Sequence, residues 1–412
     1  MSRTIDYFHS KIVYSINMDD EVNKIIQSLN FPEIKESSAT FILDHFEAGA
    51  KVHERLLLND YEVRLTKTNK EYLTLTFSNQ NGMYRAKMWD NQGAIKQTLP
   101  LLEKHRVFDV SAVVDEYNQN KSLTINHLDP VQQAIEPFTL LPFPKLDLKE
   151  IAEELIFYLT TLNEPYKTLA LETLRHFWDD FLLAPAAKGF HHNYIGGLIK
   201  HTTGLMRFTY FIQHHDKGPV EAILYLIAVV EKVYKHEVYA EAKKEKTERK
   251  RPVWQDTLDH LYKMLNQFVS LDQEAINFDV LYTSILYHDL GKLLEYDYAG
   301  KSYQAFDFLY PHADKQELDS RAQGGIEMDA LGVMVGHIPY GAMLLQQMLN
   351  QLKTPLSLSH IHEINHCILC HHGLPEWGSA VRAPQTAEGY LIHLVDYFDS
   401  RYENEEMAYY RQ

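Results

Sequence analysis

Hydrophobic and polar positions along this 412-residue chain follow two different periods. From Glu54 to Leu128 the period is two. Tyr72-Leu73-Thr74-Leu75-Thr76-Phe77 alternates strictly, Ser78 to Gly82 has the composition of a turn, and Met83 to Trp89 alternates again, which predicts a β-hairpin. A strand over 56–67 precedes the hairpin, and a helix near 95–104 and strands at 107–117 and 122–128 follow it. Three strands, a helix and two strands is the element order of a five-stranded OB barrel. Beyond it, Pro137, Pro142 and Pro144 crowd a stretch that can continue neither sheet nor helix. The period then becomes 3.6. Ile151, Leu155, Tyr158, Leu159 and Leu162 make one helical stripe, and Leu174, Phe177, Trp178 and Phe181 make the next. The division expected is a segment of unclear fold at 1–50, a barrel at 51–130, a linker at 131–148 and a helical domain at 149–412. The helical domain carries an insertion at about 215–277, whose Lys/Glu/Arg run from Glu241 to Arg251 reads as a solvated helix face.

Composition narrows the class. With 45% hydrophobic and 23% charged residues the chain is that of a soluble globular protein, and no run approaches the roughly 18 apolar residues of a membrane span. A net charge of −16 argues against a protein that coats nucleic acid by broad electrostatics. It leaves room for local binding of a polyanion where divalent cations supply positive charge. Cys367 and Cys370 are the only cysteines, so no disulfide framework is expected and a reducing, cytoplasmic location is. As a C-x-x-C pair without a second pair, they read as small core residues rather than a zinc half-site.

Two groups of residues carry candidate chemistry. One face of the hairpin presents Tyr72, Thr74, Arg85 and Lys87, which suits bases stacked on a ring and phosphates against cations, and equally suits an ordinary solvated sheet face. Trp89 shares the parity of Arg85, but a tryptophan at a strand end is expected in the core. The second group lies in the helical part. His201 shares a helix face with Leu198, Leu205, Phe208 and Ile212, which aims it inward. His288-Asp289 ends an apolar stripe containing Leu281 and Ile285, where a buried aspartate needs a cation or partner. His337, the His371-His372 pair and Asp396 follow. Imidazole and carboxylate donors suit Mn²⁺, Co²⁺, Fe²⁺, Ni²⁺ or Zn²⁺. So many donors exceed the need of one tetrahedral ion and favour two ions with Asp289 as their bridge, an arrangement that clamps both oxygens of a displacement at phosphorus.

The order His, His-Asp, His, His-His, Asp resembles the HD superfamily of metal-dependent phosphohydrolases. The flanking residues make the resemblance narrower. Ala184-Pro185-Ala186-Ala187, His191-His192 with Gly196-Gly197-Leu198 and His201-Thr202, His288-Asp289-Leu290-Gly291-Lys292, Gly336-His337-Ile338, and His371-His372-Gly373 through Glu376 to Ser379 are similar to the YhaM-type 3′-5′ exoribonucleases. The 72–90 segment resembles their OB domain, and the resemblance spans about 54–400. Lys200 stands where that family has an acidic residue, and the interval from His201 to His288 is longer than in the family.

The resemblance implies a multidomain α and β chain: an N-terminal five-stranded OB-fold barrel followed by an all-α HD domain. It implies hydrolysis of single-stranded RNA, and also single-stranded DNA, from the 3′ end to nucleoside 5′-monophosphates. Two divalent ions are implied, Mn²⁺ foremost. His201, His288, Asp289 and Asp396 would hold one, and His337 with His371 or His372 the other, with Asp289 shared. Asp289, Lys292 and His192 are implied as catalytic, Lys292 neutralising the scissile phosphate. His191 would lie near the substrate, and homo-oligomers are compatible with the family. The alternatives are an HD hydrolase of nucleotides or cyclic dinucleotides, and a non-catalytic OB-fold nucleic-acid-binding protein.

Overall fold

A computed structural model describes residues 2–32, 41–66, 68–91, 93–117, 120–131, 137–144, 146–188, 192–245, 257–298, 300–319, 325–377 and 380–410. The period-two region forms strands β3 (Lys51–Leu65), β4 (Glu71–Asn79), β5 (Gly82–Trp89), β6 (Val107–Tyr117) and β7 (Asn120–Pro130), numbered after two strands at the N-terminus, β1 (Ser2–Tyr7) and β2 (Ile12–Asn17). The five close into a barrel in the order β3-β4-β5-β7-β6. All pairings are antiparallel except β5 with β7. Alternation decides what lies inside. Leu73, Leu75 and Phe77 of β4 and Tyr84, Ala86 and Met88 of β5 are buried in the barrel core, and the intervening residues face outward. Helix α2 (Ala94–Lys104), numbered after α1 (Asp20–Ser28), contributes Ile95 and Leu102 to the same core. The turn is tighter than the sequence suggests: Asn79 pairs with Gly82, so Ser78 and Asn79 remain in the strand and are buried.

The remainder is helical: α3 (Leu148–Thr160), α4 (Tyr166–Leu183), α5 (Gly197–Gln213), α6 (Pro219–Lys243), α7 (Leu258–Val269), α8 (Phe278–His288), the short α9 (Lys292–Glu295), α10 (Gln304–Leu309) and α11 (Gln316–Asp319), then α12 (His337–Leu352), α13 (Leu358–Cys370) and α14 (Ala387–Tyr410). Starts follow local chemistry. Asp147, Asn277 and Ser357 each accept a hydrogen bond from a backbone N–H in the first turn of α3, α8 and α13. Both predicted stripes are buried, and Cys367 and Cys370 are free thiols in the core. Among the described residues no helix is long and apolar enough to cross a membrane.

Of the segment without a legible fold, residues 2–32 belong to the helical core, whereas Phe41 and Leu43 pack into the barrel. Ile5, Tyr7, Phe8, Ile12 and Ile16 of the β1-β2 hairpin and Val22, Ile25 and Ile26 of α1 pack into the same cluster as α3, α5 and α14. Arg3 reaches Glu154 on α3 at 3.3 Å, and Arg207 on α5 forks onto the same carboxylate at 2.7 and 2.9 Å. Tyr158 donates a further bond to it at 2.7 Å. Glu154 is fully buried. Its replacement by alanine removes the anion that Arg207 and Arg3 face, and the expected loss of stability is about 3–5 kcal/mol. The midpoint of urea unfolding measures it; a shift equivalent to under about 1 kcal/mol contradicts it, since that is the scale of an exposed pair.

Barrel and helices meet at the tip of the β4-β5 hairpin. Ser78 Oγ donates to Leu140 O at 2.9 Å and Phe143 N to Gln80 O at 3.0 Å. Ile195 N in turn donates to Pro142 O at 3.0 Å, and Asn193 Nδ2 lies 3.3 Å from Met83 Sδ. The hairpin therefore ends against the 192–195 turn that leads into α5.

Candidate metal centre

Five helices deliver donor side chains to one point. His201 comes from α5, one turn after the tight Gly196-Gly197 entry. His288 is the last residue of α8 and Asp289 follows it. His337 opens α12, His371 follows α13, and Asp396 lies within α14. All are buried or nearly so.

The tautomers are set by what holds the far side of each ring. His288 Nδ1 bonds Ile285 O and His371 Nδ1 bonds Ile368 O, each at 2.7 Å, three residues back along its own helix. His337 Nδ1 bonds Glu295 Oε2 at 2.6 Å, and His201 Nδ1 bonds Asp399 Oδ2 at 2.8 Å. With hydrogen on Nδ1, each Nε2 presents a lone pair to the centre, the form a metal ligand requires.

Asp289 divides its two oxygens. Oδ2 lies 3.4 Å from His201 Nε2 and 3.4 Å from His288 Nε2, while Oδ1 lies 3.6 Å from His337 Nε2 and 3.8 Å from His371 Nε2. Asp396 Oδ1 joins the first side, 3.2 Å from His201 Nε2, and His372 Nε2 joins the second, 3.4 Å from His337 Nε2. Asp289 Oδ1 and His371 Nε2 are buried with no hydrogen-bond partner. Lone pairs converging at such distances repel unless a cation lies between them, so the donor set fits divalent metal on both sides of Asp289. Among the described residues, Asp289, His337, His371 and His372 could hold an ion on one side and His201, His288 and Asp396 on the other, and His192, His201 and Asp399 form a third group of donors beside them.

Charge states agree with this. Burial would raise the Asp289 carboxyl, but the Lys292 ammonium, 2.5 Å from Oδ2, and His288 hold it well below the usual carboxylate range. Burial drives His371 well below the imidazole range with help from His372 and His288, and takes His372 down to about 4, so both remain neutral donors. His201 differs. Burial opposes its charge, yet hydrogen bonds to Asp289, Asp396 and Asp399 hold it well above the usual value. A proton there occupies the place a cation would take.

The residues expected from the sequence largely converge: His201, His288, Asp289, His337, His371, His372 and Asp396 surround one centre, with Lys292 on Asp289. His192 is buried, and both its ring nitrogens face protein partners, Nε2 on Asp399 Oδ2 at 2.8 Å and Nδ1 on Tyr194 OH at 2.9 Å. His191 lies outside the described residues. On the barrel, Tyr72 and Thr74 pair across the hairpin with Trp89 and Lys87, and Arg85 lies one pair further along the same outer face. Trp89 corrects the sequence expectation: it is not core but 43% exposed, with its ring centroid 5.3 Å from that of Tyr72. The strand end leaves the barrel core, so its outward parity prevails. Asp399 and Glu295 went unread in the sequence, although the Asp396-x-x-Asp399 spacing places two carboxylates on one helix face.

Comparison with known proteins agrees with these motifs. Residues 257–401 match the HD domain family, a segment that holds all the converging donors except His201. Over most of its length the chain is similar to proteins named 3′-5′ exoribonuclease YhaM. The one from Oceanobacillus iheyensis is 23% identical over 351 residues, covering 84% of this chain and 83% of that protein. Those from Bacillus pumilus and Bacillus subtilis are each 22% identical, with 86% of this chain covered and 87% and 86% of theirs.

Proposed function

We propose, from the HD domain and the likeness to the YhaM exoribonucleases as premise, that this protein is a metal-dependent 3′-5′ exoribonuclease. Its substrate would be single-stranded RNA, with single-stranded DNA as a second substrate, and its products nucleoside 5′-monophosphates, formed in the cytoplasm. The observation that carries the reading is Asp289, whose two oxygens each face a separate set of histidine nitrogens. That arrangement suits two divalent ions, with Mn²⁺ our first choice. Such a pair, when bound, activates water and offsets charge on the attacking and leaving oxygens at phosphorus.

The chain's own groups supply the rest. Lys292, within hydrogen-bond reach of Asp289, fixes the carboxylate and adds positive charge where the scissile phosphate would lie. The burial that keeps His371 and His372 neutral keeps them donors near neutral pH. We propose the barrel at 51–130 and the helical part at 149–412 as working units joined by 131–148. The outer hairpin face would hold the strand: Tyr72 and Trp89 offer rings to bases, and Lys87 and Arg85, which make no ion pair among the described residues, offer charge to phosphates. From Trp89 to Met83, beside the 192–195 turn, β5 runs roughly 20 Å at about 3.4 Å per residue. Several nucleotides would thus lie between platform and metal centre.

Two experiments follow. With 5′-labelled single-stranded RNA and Mn²⁺, a ladder shortening from the 3′ end is expected. Turnover confined to mononucleotides or cyclic dinucleotides, or no hydrolysis with any divalent ion, contradicts the reading. For the platform, Trp89→Ala is expected to weaken binding of a short strand by about 1–3 kcal/mol, the scale of one base-aromatic stack. KM rises accordingly and kcat at saturation stays near wild type; unchanged affinity by fluorescence anisotropy removes Trp89 from the path.

A further inference from the structure

The carboxylate of Asp399 is buried, lies one helical turn beyond Asp396 on α14, and receives three hydrogen bonds. Tyr7 OH donates to Oδ1 at 2.6 Å, and His192 Nε2 and His201 Nδ1 both reach Oδ2 at 2.8 Å. An ionised carboxylate accepts only, so His192 Nε2 and His201 Nδ1 each carry hydrogen, and His201 Nε2 is the ring atom turned toward Asp289 and Asp396. Burial would raise the Asp399 carboxyl, but the bonds from His192 and His201 hold it far below the usual range. Space for it is made by Gly204 on α5, where an added Cβ would stand 2.0 Å from Oδ1.

Tyr7 closes this arrangement from a distant part of the chain. It ends β1, and the three residues after it, Phe8, His9 and Ser10, turn the hairpin with φ of 51°, 55° and 56°. Non-glycine residues in that region cost about 1–2 kcal/mol each, so the turn persists only because its surroundings hold it. They do so tightly. The Tyr7 ring lies edge-on to Phe208 and Tyr402, with the Arg207 guanidinium 4.7 Å above it, and Phe8 is wholly buried against Phe208 and Phe398.

We infer that the N-terminal β-hairpin is a positioning element of the metal centre, in which Tyr7 fixes the rotation of Asp399 and Asp399 in turn orients His201. The hydroxyl of Tyr7 holds Oδ1 and so fixes the plane in which Oδ2 meets His201 Nδ1. Without it the carboxylate is free to turn and the His201 ring loses its register toward Asp289. Tyr7 touches neither substrate nor metal; it acts through Asp399. This rests on the metal-centre reading above. His192, His201 and Asp399 are also close enough to ligate an ion themselves, but the 2.8 Å separations are those of N–H to carboxylate bonds, which ligation would displace.

The full chain is titrated with Mn²⁺ by calorimetry, as wild type, Tyr7→Phe, Asp399→Asn and the double variant, and the Mn²⁺ dependence of RNA hydrolysis is recorded for each. Tyr7→Phe removes one oxygen and is expected to weaken Mn²⁺ binding about tenfold, with KM for RNA unchanged. Asp399→Asn is expected to weaken it about 10–100-fold, the range for groups that orient metal-bound histidines. The double variant is expected to match Asp399→Asn alone, because Tyr7 works through that carboxylate. Wild-type Mn²⁺ affinity in Tyr7→Phe, or additive losses in the double variant, overturns the inference. Should Tyr7→Phe fail to fold, Asp399→Asn decides: loss of a whole metal equivalent makes Asp399 a ligand and overturns the positioning role, while weaker binding at unchanged stoichiometry supports it. A wild-type chain that binds no divalent ion overturns the metal-centre reading and this inference with it, and the wild-type titration distinguishes that failure from the others.

Discussion

Replacing Asp289 by alanine is expected to reduce hydrolysis by at least about 10³-fold, or about 4 kcal/mol of transition-state stabilisation, while binding of single-stranded RNA survives. Both oxygens are used. One faces His201 and His288, the other His337 and His371, so a single truncation opens both halves of the centre. The same change leaves the buried Lys292 ammonium without the carboxylate 2.5 Å away, and removal of one member of a buried pair costs about 3–5 kcal/mol. Stability and activity must therefore be read together. Asp289→Asn keeps the shape and separates them: it is expected to fold more stably than the alanine variant yet remain inactive, because an amide offers one acceptor oxygen where two are needed. Strand affinity by anisotropy, bound metal by elemental analysis and turnover on labelled RNA make the comparison. Activity within tenfold of wild type in either variant contradicts the bridging role.

Gly291→Ala is expected to be nearly as damaging although its side chain adds a single methyl group. A Cβ at this position would stand 1.9 Å from the carbonyl oxygen of His337, 2.7 Å from its carbonyl carbon and 2.8 Å from its Cα. Those are backbone atoms at the start of α12, so no rotamer change relieves the overlap. Either the 289–292 turn or the first turn of α12 must move, and both carry the centre: His337 Nε2 is 3.6 Å from Asp289 Oδ1. Overpacking of this kind costs about 1–3 kcal/mol or more in stability. The larger expected effect is on metal retention, since His337 is carried away from its partners. A lowered melting temperature with loss of bound Mn²⁺ is the expected result; a wild-type melting temperature with full metal content contradicts it.

Gly291 also shows what kind of information the sequence carries. The glycine is visible beside His288-Asp289 and belongs to the motif that marks the family, but its reason is tertiary, the approach of α12 to α9. The barrel was legible because alternation of Leu73, Leu75 and Phe77 with polar neighbours is a local property, and the pairing of β4 with β5 follows from it. Donor residues were legible because histidines and aspartates inside apolar stripes are costly without a cation. Asp399 shares a helix face with Ile392, Val395 and Tyr402 and lies three residues from Asp396, but its partners Tyr7, His192 and His201 are all distant in sequence, so its role is tertiary. Tyr7 could not be read at all, since its bond to Asp399 spans 392 residues and nothing near it in sequence suggests a partner. Trp89 was misplaced because a strand-end tryptophan is usually packed inward, whereas here it lies outside the barrel beside Tyr72.

The central claim is that Asp289 bridges two metal ions. Crystals of the full chain grown with Mn²⁺ and recorded at the manganese absorption edge test it most directly. Two anomalous peaks are expected, about 3.5–4 Å apart, one beside Asp289 Oδ2 with His201, His288 and Asp396 and one beside Oδ1 with His337, His371 and His372. A single peak, or two peaks that do not share Asp289, contradicts it.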